Sequence, residues 1–152
     1  MLEHYDSFRY RFKEVELEDD GTIIQNMDQV GLGDTYKKML ILDALVSNID
    51  RHEFNFGVLK EVDTGKVVGF APYFNHNLSL NAHFSNGAAI GLALYQMCKR
   101  TVGSREILTL LKDLSMGDII SLDKKVRTDL GTKLDFQFVI DYFSKIFEDQ
   151  SL

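Results

Sequence analysis

The sequence predicts an α+β fold, mainly helical, and three observations predict it. Apolar residues recur three and four apart through most of the C-terminal half, two β-rich runs lie together in the middle, and one helix-patterned stretch leads into them. With 152 residues, of which 45% are hydrophobic and 26% charged, the chain can bury one sizeable core and is expected to form a single domain over 1–152.

Taken in order, residues 5–17 fit two periods: Phe8, Tyr10 and Phe12 alternate as in a strand, while Tyr5, Phe8, Phe12 and Val15 suit a helix. That segment stays open. Gly31 to Gly33 reads as a turn, after which Asp34 or Thr35 can cap a helix carrying Tyr36, Met39, Leu40 and Val46 on one stripe. The helix leads to Asn48 and the polar loop SNIDRHEFN. FGVLKEV and KVVGFAPYF then form a hairpin around Asp63, Thr64 and Gly65. Beyond Phe84, the stretches NGAAIGLALYQMCKR, SREILTLLKDL, GDIISLDKKVRTDL and DFQFVIDYFSKIFED predict four helices.

Composition narrows the function. Twenty-three acidic against seventeen basic residues give a formal charge of −6, and the Lys and Arg residues are scattered, which argues against direct nucleic-acid binding. No run of eighteen apolar residues and no signal-like N-terminus is visible, so a soluble, cytoplasmic protein with no membrane association is expected. Cys98 lies in an apolar run and reads as a buried thiol. The four histidines show no zinc-binding spacing.

The chemistry concentrates in SNIDRHEFNFGVL, where Asp50 and Asn55 stand five residues apart just before an apolar run. Protein kinases use that spacing: the Asp addresses the substrate hydroxyl and the Asn coordinates magnesium. Taken alone the pair is a weak signal, because capped polar turns contain many like it. Two supporting residues stand out beside it. His52 is placed to brace the loop, and Asp43 falls on the apolar stripe of its helix, where a carboxylate needs a partner. Either Asp43 accepts from an amide, Arg51 or His52 in the following loop and thereby fixes Asp50, or the stripe has a wider solvent-facing edge.

Over residues 43–80 the chain resembles the HipA-like family of serine/threonine kinases. Asn48, Asp50, Arg51, His52, Asn55, Phe56 and Gly57 match its N-x-D-R-H-x-x-N-F-G motif, and Ala71, Pro72, Tyr73 and Phe74 match the approach to its metal-binding A-P-x-x-D segment. The final position departs: Asn75 stands where the family has aspartate. The resemblance implies a protein-kinase-like C-terminal lobe with a short β-hairpin after the catalytic loop, with Asp50 as base and Asn55 and residue 75 as magnesium and nucleotide ligands. It implies Mg²⁺ and ATP for the parent family, and for this chain weak binding or none, because Asn75 keeps the shape of a carboxylate without its charge. Restoring Asp at 75 is expected to restore metal binding. Only forty-nine residues precede Asp50, too few for a kinase N-terminal lobe, and the Gly31–Gly33 pair lacks the third glycine of a phosphate loop. Expected partners are therefore a separate N-terminal kinase lobe, an antitoxin-like protein or a second copy in a homodimer. Two functions remain open: the lobe of a HipA-like kinase that is inactive as written, or a non-catalytic pseudokinase interaction module.

Overall fold

The computed structural model describes residues 1–5, 20–75, 87–111 and 115–118, with 120–121, 124–125, 141, 144–146 and 148. Helices accompany a three-stranded antiparallel sheet, so the chain is α+β. It divides into two compact units, Met1–Leu42 with Asp50–Asn77, and Asp43–Ile49 with Leu78–Leu152. No helix among the described residues is long and apolar enough to cross a membrane.

In the first unit, α1 (Asp20–Asp28) buries Ile23, Ile24 and Met27 on one stripe, and Asp20 lies in the first turn, where the helix dipole favours negative charge. The chain turns at Gly31, with φ of 74°, before α2 (Gly33–Leu45), which belongs to this unit as far as Leu42. Tyr36, Met39 and Leu40 of α2 are buried as their spacing predicts. Strand β2 (Gly57–Lys60) is central, flanked by β1 (Leu2–His4) and β3 (Val67–Phe70). The predicted hairpin is β2 and β3, with Gly65 at φ 66° in their turn, a conformation that glycine adopts without steric cost.

The core of this unit is aromatic. Phe56 stacks on Tyr5 at a centroid distance of 4.9 Å and lies 5.1 Å from Tyr36 and 6.2 Å from Phe70. Both tyrosine hydroxyls are satisfied: Tyr5 accepts from Asn26 at 3.0 Å, and Tyr36 donates to Asp20 at 2.8 Å. Beside Phe56, the backbone of β1 comes so close that a Cβ on Gly57 would lie 2.1 Å from the Glu3 carbonyl oxygen. Only glycine fits there without moving the strand.

Two elements exceed the sequence reading. Strand β1 has only three residues, too few to establish an alternation, and α1 carries one short apolar set around the weak helix formers Gly21 and Thr22. Tertiary contact stabilises both. Of the ambiguous stretch 5–17, only Tyr5 lies within the described residues.

In the second unit, α3 (Gly87–Val102) buries Gly91, Tyr95 and Cys98, and α4 (Ser104–Leu111) buries Ile107 while Arg105, Glu106 and Leu108 face water. Cys98 is buried and is not part of a disulfide. The two further predicted helices lie only partly within the described residues, and of those, 117–118, 120–121, 124–125, 141, 144–146 and 148 are helical. A capping box opens the first of them. The Ser115 hydroxyl accepts from the Asp118 amide at 3.2 Å, while the Asp118 carboxylate accepts from the Ser115 hydroxyl and amide at 2.6 and 2.9 Å.

Those bonds, the hydroxyl first, hold the Asp118 carboxyl below its ordinary value of 3.8. A lowered folded value means the cap contributes stability above the ordinary value and loses it as pH falls through the lower one. NMR titration of Asp118 should therefore show a depressed midpoint. Ser115→Ala should move it back toward 3.8.

Candidate functional site

Helix α2 ends in a two-bond cap made without glycine. Ser47 takes φ of 53°, its amide donates to the Ala44 carbonyl at 3.4 Å, and the Asn48 amide donates to the Asp43 carbonyl at 2.8 Å. This is a Schellman closure, and a non-glycine residue in the left-handed region costs about 1 kcal/mol. The same turn brings the Asn48 side chain onto Asp43, donating to Oδ1 at 2.8 Å. Both residues are buried, so the carboxylate on the apolar stripe has its partner, an amide from the following loop.

In the loop itself, Asp50 is held by its backbone and leaves its carboxylate partly exposed. The Asn55 side-chain NH₂ donates to the Asp50 carbonyl. His52 braces the turn twice, accepting from the Asn55 amide through its carbonyl at 3.0 Å and from the Phe54 amide through Nδ1 at 3.3 Å. An accepting Nδ1 puts the proton of the neutral ring on Nε2, which faces Asp50 Oδ1 at 3.9 Å, too far for a hydrogen bond. Phe54, beside it, projects into water.

Asn55 is 1% exposed, and both its side-chain oxygen and its side-chain nitrogen are engaged. The oxygen accepts from the His52 amide at 3.0 Å and from Arg51 Nη1 at 3.2 Å, while the nitrogen serves Asp50. Arg51 Nη1 also donates to the Asn55 carbonyl at 2.6 Å and to the Phe74 carbonyl at 3.1 Å. One guanidinium nitrogen thus joins the loop to the peptide immediately before Asn75. Because that nitrogen lies 3.2 Å from Asn55 Oδ1 and 3.1 Å from the Phe74 oxygen, the two oxygens are separated by roughly 6 Å at most.

The 71–75 segment is pinned at three other points. The Ala71 amide donates to the Gly57 carbonyl at 2.9 Å, the Tyr73 hydroxyl donates to the Thr35 carbonyl at 2.9 Å, and Phe74 meets His4 edge-on at 5.9 Å. Asn75 ends the segment exposed and at φ 60°. Asparagine tolerates that conformation better than most residues. Among the described residues, Ser47 and Asn75 are the non-glycine positions with positive φ, and each adjoins one of the two site segments.

The loop residues predicted for the site, Asp50, Arg51, His52 and Asn55, therefore come together, with residue 75 one peptide from the Arg51 bond. Chemically, a partly exposed carboxylate at Asp50 can accept a proton from an approaching hydroxyl. The bridging role of Arg51 and the anchor at Phe74 go beyond what sequence reasoning predicts. The available signal was an arginine placed directly after Asp50 in a polar loop, whose charge had to find oxygen acceptors.

Comparison with protein-family models, with curated proteins and with solved structures returns no match for this chain.

Proposed function

We propose that the chain is a kinase-like C-terminal lobe of the HipA-like type that keeps the scaffold of a phosphotransfer loop without transferring phosphate, and serves as a non-catalytic module. One observation carries the reading: Arg51 ties the Asp50–Asn55 loop to the carbonyl preceding residue 75. Phosphoryl transfer from ATP to Ser or Thr needs these two segments side by side, with a carboxylate to take the hydroxyl proton and negative charge to retain the nucleotide's metal. Asp50 meets the first requirement.

The second is not met by the residues present. Asn55 and Asn75 are neutral, and both lone pairs of Asn55 Oδ1 face protein donors. A hard, reluctantly dehydrating ion such as Mg²⁺ is held by carboxylates and phosphates, not by amides already in use. Mg²⁺ and ATP are accordingly assigned weak binding or none. A partner, either a kinase N-terminal lobe, an antitoxin-like protein or a second copy, is consistent with the exposure of Leu2, Val62 and Val68 in the first unit.

The test is a phosphorylation assay with Mg²⁺, ATP and a generic Ser/Thr protein substrate, run beside Asp50→Asn. No transfer above that variant is expected. Asp50-dependent turnover on the order of 1 per second would end the non-catalytic reading.

A further inference from the structure

We propose that Arg51 is the resident cation of this site: its guanidinium, fixed between Asn55 and Phe74, holds the 50–55 loop against the 71–75 segment without metal and so positions Asp50. The inference rests on the reading above, in which Asn55 and residue 75 mark where a phosphotransferase keeps a divalent ion.

Three features carry it. The guanidinium is a planar cation, and Nη1 alone reaches three oxygens, at 2.6, 3.2 and 3.1 Å, on the two segments that an ion would bridge. Asn55 is then doubly committed, because its oxygen also takes the His52 amide, so a metal could bind it only by displacing both donors. Finally, the chain of bonds continues to the backbone of the residue that carries the reactive carboxylate: Arg51 orients the Asn55 carboxamide, and that carboxamide donates to the main-chain carbonyl of Asp50. Arg51 is thus a positioning residue that acts on Asp50 through Asn55.

An incoming divalent ion would also meet a like charge a few ångströms away. Asn75→Asp by itself should therefore place a carboxylate one peptide from the carbonyl that Arg51 holds and gain little metal affinity, whereas Asn75→Asp with Arg51→Met should open the position.

The experiment is an NMR titration of the full chain with Mn²⁺, whose paramagnetism broadens nearby signals. In the unmodified chain, the Asn55 side-chain NH₂ signals should broaden no more than the Lys66 amide in the exposed β2–β3 turn. Selective broadening at Asn55 would overturn the proposal. In the second arm, Arg51→Met/Asn75→Asp should bind Mn²⁺ about tenfold or more tighter than Asn75→Asp, since a fixed like charge has been removed. Equal affinity would also overturn it. Should the Arg51→Met protein fail to fold, the titration of the unmodified chain decides alone. The phosphorylation assay above reports separately on the functional reading: Asp50-dependent turnover sinks that reading, whereas broadening at Asn55 sinks the role of Arg51.

Discussion

Phe56→Ala should destabilise the first unit by about 3–5 kcal/mol, the largest loss expected from any single truncation there. The ring is 2% exposed and is contacted by three aromatic rings, from Tyr5, Tyr36 and Phe70, so the cavity cannot be filled by one neighbour relaxing. Each of those neighbours is itself held. Tyr5 is tied to Asn26, Tyr36 to Asp20, and Phe70 to the register of β3 on β2. Collapse would have to break one of these ties, which leaves most of the void in place. Urea unfolding followed by tyrosine fluorescence measures the loss directly. A drop below about 1 kcal/mol would mean that the aromatic cluster is not the core of the unit. Phe56→Leu, which keeps much of the volume, should recover more than half of the difference.

Phe56 also shows why a motif can be legible while its reasons are not. Asn55, Phe56 and Gly57 read in sequence as part of a catalytic signature, yet each has a structural role. Asn55 locks the loop, Phe56 centres the core, and Gly57 admits the backbone of β1. Spacing reveals that three residues belong together, but it does not separate chemistry from packing. The elements legible in the sequence, α2, the β2–β3 hairpin, α3 and α4, are long enough to show a period or carry a glycine where the turn requires positive φ. Helix α1 and strand β1 escape sequence reasoning because neither has a local pattern independent of its packing partners. The end of α2 is obscured for a different reason. Its left-handed residue is Ser47 where glycine is the usual signal, and the buried Asp43 on its stripe is bonded by Asn48, five residues on. Arg51 is visible as a letter, but its acceptor at Phe74 lies twenty-three positions away, beyond any local window.

Asn55→Leu should cost about 3 kcal/mol, and Asn75→Ala only about 1 kcal/mol, although both positions carry the same residue and the same expected role as ligands. The difference follows from what each side chain does in the fold. Leucine at 55 keeps the volume but strips the Asp50 carbonyl and the His52 amide of their partners and removes one acceptor from Arg51. Buried polar groups left without partners lose about 1–3 kcal/mol each, and the exposed edge of the loop lets water recover part of that. Asn75 is exposed, and its substitution chiefly replaces a residue that tolerates φ of 60° by one that does not. Asn75→Gly should therefore be neutral or stabilising, which separates backbone conformation from any loss of side-chain bonding. Thermal melts of the three variants, read as differences in unfolding free energy at a common temperature, give the comparison. If Asn55→Leu proves as mild as Asn75→Ala, the Asn55 carboxamide is not the lock of the loop, and its oxygen is open to a ligand after all.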